Sequence, residues 1–184
     1  MTHRSFSARL PALSFAFSLS SLFTACGAQQ RPDGGKGYLP VGMQVPDLKS
    51  SDQLNRPVEL RAEGPTVLYF YPRAGTPGCT KEACAFRDSW KSYSDAGVRV
   101  IGVSSDPKRR QADFAKEHDL PFPLISDPDH VWSDAFGVGS FVGFDSRVSF
   151  LIDSNAHVAK VYEDVDPGVH ADQVLGDVKE LGLR

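Results

Sequence analysis

Two mainly apolar runs dominate the middle of the chain, at 66–71 (TVLYFY) and 98–104 (VRVIGVS). Runs of this length, rich in β-branched and aromatic residues, are typical of strands that are buried on both faces of a sheet. Shorter apolar runs predict three more strands, at 122–126, 148–152 and 157–162. Because the polar turn 153–156 separates the last two runs, we expect them to form a hairpin.

Helices are predicted between and after these strands, at 79–96, 106–119, 127–137 and 170–181. Gly97 would end the first of them, and Asp106 and Asp127, each followed by Pro, would cap the second and third. Alternating strands and helices that end in a hairpin imply an α/β fold, in which helices flank a central mixed β-sheet. In open sheets of this kind, functional sites form where a central strand ends and a helix begins.

The N-terminal part of the chain differs from the rest. Arg4 and Arg9 precede an uncharged segment, 10–25, that is rich in Leu, Phe, Ala and Ser, which is the pattern of an export signal. The segment is too short and too rich in Ser for a comfortable membrane span. Its end, FTAC at 23–26, resembles the lipobox of bacterial lipoproteins, in which the signal is cut before a Cys that carries lipid. An ordinary secretory signal, with Cys26 incidental, is the alternative.

These features divide the chain into three parts: an export signal of the lipoprotein type at 1–25, a flexible tether at 26–38 and one domain at 39–184. The tether is predicted because GAQQRPDGGKGY is polar and rich in Gly. Lipid on Cys26 would make the protein an exported, membrane-anchored lipoprotein on the periplasmic or cell-envelope side. With 20 basic and 23 acidic residues, the chain is not expected to bind nucleic acid.

Two of the three cysteines, Cys79 and Cys84, fall in the first predicted helix. Cys79 is at its N-terminus, where unpaired N–H groups and the helix dipole favour an anion, and the thiolate is the reactive form of cysteine. Five residues along a helix place the Cα atoms roughly 8.7 Å apart, whereas a disulfide needs them within about 6.8 Å. The pair can close only if the helix start unwinds, which favours a redox cycle over a permanent disulfide. Two small buried apolar side chains are the simpler alternative.

The segment YFYPRAGTPGCTKEACAFRD resembles the active-site segment of peroxiredoxins, and in particular that of the bacterioferritin comigratory protein, or peroxiredoxin Q, group. The family motif Pro-x3-Thr-x2-Cys is met by Pro72, Thr76 and Cys79, the second Cys of this group by Cys84, and the Arg before a buried strand by Arg147. The resemblance extends from about residue 39 to residue 181, which is nearly the whole predicted domain.

This resemblance implies a thioredoxin-like fold and a thiol-dependent peroxidase that reduces hydrogen peroxide and organic hydroperoxides in antioxidant defence. Cys79 would become a sulfenic acid, Cys84 would resolve it as an intramolecular disulfide, and a thioredoxin-like dithiol would reduce that bond. The Thr76 hydroxyl would contact sulfur and peroxide, Arg147 would stabilise the negative charge, and Pro72 would limit access of water. The resemblance implies a monomer that requires no metal or organic cofactor.

Other functions fit parts of the same sequence. A lipid-anchored copper chaperone on this fold would share the lipobox and two close cysteines, but such proteins typically use Cys-x3-Cys and a distant His. A thiol-disulfide oxidoreductase needs Cys-x2-Cys, so that its disulfide closes within one helical turn, and the chain has no such pair. A binding domain that keeps the fold without catalysis would be insensitive to replacement of Cys79.

Several residues near the motif are expected to have ordinary structural roles. The carboxylates of Glu82 and Asp88 are predicted to be solvated, and no paired-carboxylate site is apparent. Phe86 and Trp90 lie at helical spacing and are predicted to pack in the core. His170 begins the last helix and is predicted to be solvated or to cap that helix.

Overall fold

The computed structural model describes Met1, residues 30–61 and residues 64–183. Residues 2–29 contain nearly all of the predicted export signal and the candidate lipid site Cys26, so these predictions lie outside the described residues. Within the described ranges, no helix is both long and apolar enough to cross a bilayer.

A five-stranded sheet forms the centre of the protein. The strands are β1 (Lys49–Ser51), β2 (Pro57–Glu59), β3 (Thr66–Phe70), β4 (Arg99–Ser104), β5 (Leu124–Ser126), β6 (Ser140–Phe141), β7 (Phe144–Asp145), β8 (Val148–Ile152) and β9 (Val158–Tyr162). The central sheet has the order β5-β4-β3-β8-β9, while β1 pairs with β2 and β6 pairs with β7. The five predicted strands are confirmed, with bounds that shift by one or two residues.

The central strand β3 explains where the site forms. It runs parallel to β4 and antiparallel to β8, so the sheet is mixed, as predicted. The predicted hairpin is confirmed as β8–β9. Phe70 at the end of β3 lies opposite Val148 at the start of β8. The loop that follows β3 is therefore brought beside the residues that precede β8.

Helices cover both faces of this sheet: α1 (Pro77–Asp88), α2 (Trp90–Asp95), α3 (Lys108–Glu117), α4 (Val131–Phe136) and α5 (His170–Glu180). The single helix predicted for 79–96 is wrong, because Ser89 (φ −88°, ψ 1°) interrupts it and α2 begins at the next residue. The predicted cap at Asp106 is also wrong. Pro107 occupies the N-cap position of α3, since the Asp106 carboxylate binds the backbone N–H of Ala74 instead.

Two apolar layers hold the helices on the sheet. On one face, Tyr69 of β3 stacks on Phe86 of α1, with ring centroids 5.0 Å apart. On the other face, Phe136 of α4 packs against Phe150 of β8 at 4.8 Å. All four rings are essentially inaccessible to solvent. Burial of large aromatic side chains on both faces fixes α1, and with it the start of this helix, relative to β3 and β8.

Residues 30–38, which belong to the predicted flexible tether, form an ordered turn. Arg31 is only 7% exposed, and its guanidinium donates to the carbonyls of Gly37 and Tyr38, each at 3.0 Å. It also pairs with Asp33 at 3.2 Å. The turn is thus held by the hydrogen bonds of one buried arginine, because a segment rich in Gly has few apolar side chains with which to form a core. Ordered structure is present before residue 39, where the sequence predicted that the domain begins.

Candidate active site

The site begins at the loop between β3 and α1. Thr76 is the N-cap of α1, and Pro77 is its first residue, where a missing N–H is tolerated. Cys79 is therefore the third helical residue, in the turn whose N–H groups have no partner inside the helix. Its side chain is 1% exposed and its thiol is free. The structure places this sulfur at a helix N-terminus, as the sequence predicted.

Arg147, the residue directly before β8, reaches the same sulfur. Its Nη2 lies 3.1 Å from the Sγ of Cys79, and its Nη1 donates to the carboxyl group of Glu82. Burial lowers the pKa of Arg147, but the nearby Glu82 and Cys79 outweigh this effect and raise it above the usual value. The guanidinium is consequently a permanent positive charge beside Cys79, and it stabilises negative charge on that sulfur.

Glu82 is a part of the site that the sequence interpretation missed. The prediction that it is solvated is wrong, because its side chain is 0% exposed and paired with Arg147. Burial raises the pKa of Glu82 to about 7, and Arg147 acts against this rise. A signal for it exists in the sequence. Glu82 follows Cys79 by three residues, and Ala83 and Phe86 continue the same buried helical stripe.

Pro72 and Thr76 border a cavity next to the sulfur. The cavity has a volume of about 480 Å³, and Arg147 lines it together with the rings of Phe141 and Phe144. The Thr76 hydroxyl donates to the carbonyl of Arg73 at 2.9 Å. Three residues predicted from the motif thus line one partly apolar cavity, Pro72, Thr76 and Arg147, and the fourth, Cys79, is joined to it through its contact with Arg147.

Cys84 lies five residues after Cys79 in the same continuous helix, and its thiol is half-buried and free. It is off the buried stripe that carries Cys79 and Glu82. The described helix is intact between the two cysteines, which is the geometry that the sequence analysis assumed. A disulfide between them requires the first turns of α1 to unwind.

Asp106 fixes the loop that carries Pro72 and Thr76. Its Oδ2 accepts hydrogen bonds from the N–H of Ala74 at 2.6 Å and from the hydroxyl of Ser104 at 3.1 Å. Asp106 is 7% exposed and Ala74 is 5% exposed, so both groups are largely shielded from water. A buried carboxylate at the end of β4 therefore holds the loop at the end of β3.

His170 is buried near the site, where it contacts Ser149 of β8 and Phe86 of α1. The prediction that it is solvated or capping is wrong, because it is 0% exposed and its Nε2 lies 2.9 Å from the hydroxyl of Ser149. Its ring packs edge-on against Phe86 and Tyr162. Burial lowers the pKa of His170 to about 4, so the imidazole is neutral at physiological pH.

Comparison with known proteins shows the family to which the chain belongs. The sequence profile described as the AhpC/TSA family matches residues 41–161. The chain belongs to this family. It is 38% identical over 170 residues to peroxiredoxin Q of Sedum lineare, covering 90% of this chain and 91% of that protein. It is 40% identical over 151 residues to peroxiredoxin Bcp of Escherichia coli K12, covering 77% and 97% respectively.

Structural comparison agrees with the sequence comparison. The crystal structure of peroxidoxin BcpB from Mycobacterium tuberculosis superposes with a TM-score of 0.73 and 36% identity, covering 78% of this chain and 99% of that one. The fold is therefore the thioredoxin-like fold of peroxiredoxins, with a central mixed sheet flanked by helices. The protein is a thiol-dependent peroxidase of the peroxiredoxin Q/Bcp type.

Proposed function

We propose that Cys79 is the residue that attacks the peroxide, and the observation that carries this proposal is its contact with Arg147 at 3.1 Å. The thiolate attacks one peroxide oxygen, the O–O bond breaks, and the departing oxygen leaves as water or an alcohol after taking up a proton. Cys79 becomes a sulfenic acid. The guanidinium of Arg147 and the free N–H groups of the first turn of α1 stabilise the negative charge on the departing oxygen.

Cys84 is the resolving residue in this proposal. Its sulfur attacks the sulfur of the Cys79 sulfenic acid, a disulfide forms and water leaves. Because both residues lie in α1, the step requires the start of the helix to unwind. A thioredoxin-like dithiol then restores both thiols by two successive exchange reactions, and becomes a disulfide itself.

The shape of the cavity supports hydrogen peroxide and organic hydroperoxides as substrates. Arg147 supplies positive charge to its lining, and Phe141 and Phe144 supply an apolar wall that suits the carbon chain of an organic hydroperoxide. The Pro72 ring borders the cavity, where it limits access of water to the sulfur. The Thr76 hydroxyl lies at the same cavity and would turn from the Arg73 carbonyl towards a bound peroxide.

The location of the enzyme is a separate part of the proposal. The apolar segment 10–25 and the lipobox-like FTAC sequence support export and attachment of lipid to Cys26. The protein then acts as a monomer on the periplasmic or cell-envelope side, anchored in a membrane. Its reductant must be a thioredoxin-like protein or relay outside the cytoplasm. Replacement of Cys26 by Ser should release the protein from membranes without loss of peroxidase activity.

The catalytic proposal is tested by peroxide consumption in the presence of a thioredoxin-type reductant. The full chain in detergent should turn over hydrogen peroxide continuously, and Cys79→Ser should abolish this activity. Cys84→Ser should consume one equivalent of peroxide per protein and then stop, because the sulfenic acid has no internal partner. Continuous turnover by Cys79→Ser would overturn the assignment of the peroxidatic residue, and continuous turnover by Cys84→Ser with this reductant would overturn that of the resolving residue.

A further inference from the structure

The short hairpin β6–β7 places apolar side chains in water next to the active site. Phe141 is 82% exposed, Val142 is 77% exposed and Phe144 is 39% exposed. The turn of the hairpin is strained, because Val142 has φ +52°, a conformation that β-branched residues rarely adopt. Strain that keeps a large apolar side chain in solvent indicates that this tip has a function outside the isolated domain.

Specific contacts hold the hairpin in place. The hydroxyl of Ser105 donates to the carbonyl of Gly143 at 2.8 Å, and the N–H of Ser146 donates to the carbonyl of Gly139 at 2.8 Å. The guanidinium of Arg73 lies over the ring of Phe144, 5.5 Å from its centre. The hairpin is thus a fixed wall of the peroxide cavity, and its tip projects beyond that cavity.

The N-terminal turn lies at the same end of the molecule. The N–H of Leu39 donates to the carbonyl of Phe136 at 3.0 Å, and a Cβ atom on Gly137 would clash with the carbonyl of Gly37. The turn at 30–38 therefore packs directly against Gly137, three residues before β6 begins. This contact fixes the position of the turn at 30–38 relative to the segment that leads into β6.

The position of residues 37–41 shows at which end of the central sheet the N-terminal turn lies. Residues 37–41 lie beside residues 160–163, at the carboxyl end of β9. Since β8 is antiparallel to both β3 and β9, the carboxyl ends of β3 and β9 are at the same edge of the sheet. The chain thus enters the fold at the edge that carries Cys79 and the hairpin.

Cys26 is four residues before Gln30 in the sequence, a distance that an extended chain spans in about 14 Å. We propose that the β6–β7 tip is a membrane-contact surface, in which Phe141 and Val142 enter the bilayer that the lipid on Cys26 holds nearby. This inference rests on the proposed anchor. The peroxide cavity then opens against the bilayer, where hydroperoxides carried on lipid acyl chains reach it directly.

Apolar contact, not net charge, carries this surface. Arg73 is exposed beside the hairpin, where its guanidinium lies over Phe144, but Glu163 and Asp164 are exposed beyond the end of β9 at the same edge. Because charges of both signs are present, we expect no strong electrostatic attraction between this surface and an anionic membrane. Vesicles of zwitterionic phosphatidylcholine are therefore the appropriate probe, and binding should depend little on salt.

The test uses the full chain, processed by a bacterial host, recovered from its membranes in detergent and reconstituted into phosphatidylcholine vesicles. A reporter is introduced as Phe141→Trp, and its matched control is Leu181→Trp. Leu181 is 48% exposed and directly follows α5, and its neighbour Gly182 lies near Gly97, at the opposite edge of the sheet, where β4 begins. Trp90 and Trp132 contribute the same background to both variants.

Brominated acyl chains quench the emission of tryptophan inside a bilayer. The emission added by Phe141→Trp should be lost in brominated vesicles, whereas that added by Leu181→Trp should be retained. Val142→Asp in the Phe141→Trp background should restore the emission, because a charge at the tip keeps it out of the bilayer. Emission at position 141 that brominated lipid leaves unchanged would overturn the proposal, and so would equal quenching at positions 141 and 181.

Two further measurements separate this proposal from the proposed function. Flotation with vesicles reports the anchor, and turnover of hydrogen peroxide in detergent reports the peroxidase. If the Phe141→Trp protein floats and turns over peroxide, but its added emission is not quenched, the anchor and the peroxidase are both present. The proposed contact of the hairpin with the bilayer is then absent. A protein that does not float lacks both anchor and contact, whatever its activity. A shift in the emission at position 141 on dimerisation or on addition of the reductant, without quenching by lipid, would assign the hairpin to a protein partner instead.

Discussion

Buried Glu82 pairs with half-buried Arg147 and orients the guanidinium towards the reactive sulfur. Nη1 of Arg147 is held by the Glu82 carboxyl group, and this leaves Nη2 at 3.1 Å from the Sγ of Cys79. Both Glu82 and Cys79 belong to α1, so one helix supplies the sulfur and the group that aims its cationic partner. Orientation by a buried partner limits the freedom of the long arginine side chain, which would otherwise have to be ordered during the reaction.

Replacement of Glu82 by Gln should therefore slow the reaction of Cys79 with peroxide. At pH 8, above the pKa of Glu82, the ion pair with Arg147 is exchanged for a weaker hydrogen bond to an uncharged amide oxygen, and we expect a loss of about tenfold in the second-order rate constant. At pH 6, where Glu82 carries its proton, the two proteins should react at similar rates. Stopped-flow measurement with hydrogen peroxide checks both values.

Lys81→Gln is the matched control for this substitution, because Lys81 is the exposed neighbour of Glu82 in the same helix. It should leave the rate unchanged at both pH values. A faster reaction of Glu82→Gln at pH 8 would contradict the account. It would mean that Glu82 acts mainly by neutralising the charge of Arg147, and not by orienting it.

Removal of the Asp106 carboxylate should loosen the loop at the active site. Asp106→Ala leaves the buried N–H of Ala74 without an acceptor, which costs about 1–3 kcal/mol in the free energy of unfolding. The rate constant of Cys79 with peroxide should fall as well, because Pro72 and Thr76 lose their support. Asp113→Ala, an exposed position on α3, should change stability by less than about 0.5 kcal/mol. Wild-type stability in Asp106→Ala would exclude the proposed support.

Gly102 should be intolerant of even a single added methyl group. A Cβ atom there would lie 2.7 Å from the Tyr69 ring and 2.8 Å from Leu124. Gly102→Ala is therefore expected to destabilise the protein by about 1–3 kcal/mol in chemical denaturation, because Tyr69 must move from its stack on Phe86. Gly176→Ala is the control. Nothing lies near its Cβ position on the exposed side of α5, and the change should stabilise by about 0.5–1 kcal/mol.

Burial of His170 predicts a loss of stability in acid. Its pKa is about 4 in the folded protein against the usual 6.5, so the unfolded chain binds this proton more readily between these values. The stability that the neutral ring contributes is present above pH 6.5 and is lost as the pH falls towards 4, by up to about 3 kcal/mol. Glu82 has the opposite sign. Its folded pKa is raised from 4.5 to about 7, so stability falls as the pH rises through that window.

The two effects offset each other in the wild-type protein, and variants separate them. In Glu82→Gln, the denaturation midpoint should fall more steeply than in the wild-type protein as the pH is lowered from 6.5 to 4. In Glu82→Gln/His170→Gln, this steeper fall should be largely absent. Measurement of urea midpoints across this range distinguishes the cases, and a slope that persists unchanged in the double variant would show that His170 is not its source.

Most of the fold could be predicted from the sequence because its apolar pattern is unambiguous. The runs at 66–71 and 98–104 are typical of buried strands, and they form β3 and β4 at the centre of the sheet. The polar turn at 153–156 likewise specifies the β8–β9 hairpin. The break of the helix at Ser89 could not be predicted in this way, since neither Gly nor Pro marks it.

The site could be predicted only where residue types are chemically distinctive. Cys79 and Arg147 were found from the motif, and the register of β3 against β8 explains why residues so far apart in sequence meet. Glu82, Asp106 and His170 were misread because polar residues are usually exposed or serve as caps. Each is instead buried with a partner on another element, and only the tertiary structure supplies these partners.

The most direct test of the central claim is to follow the thiols of the fully reduced protein after mixing with one equivalent of hydrogen peroxide. Intact mass and free thiols are measured on the millisecond-to-second scale. The account predicts rapid loss of both thiols as an intramolecular Cys79–Cys84 disulfide, with Cys79→Ser inert and Cys84→Ser stopping at the sulfenic acid. Oxidation no faster than that of an ordinary free thiol, or a product without the Cys79–Cys84 bond, would contradict it.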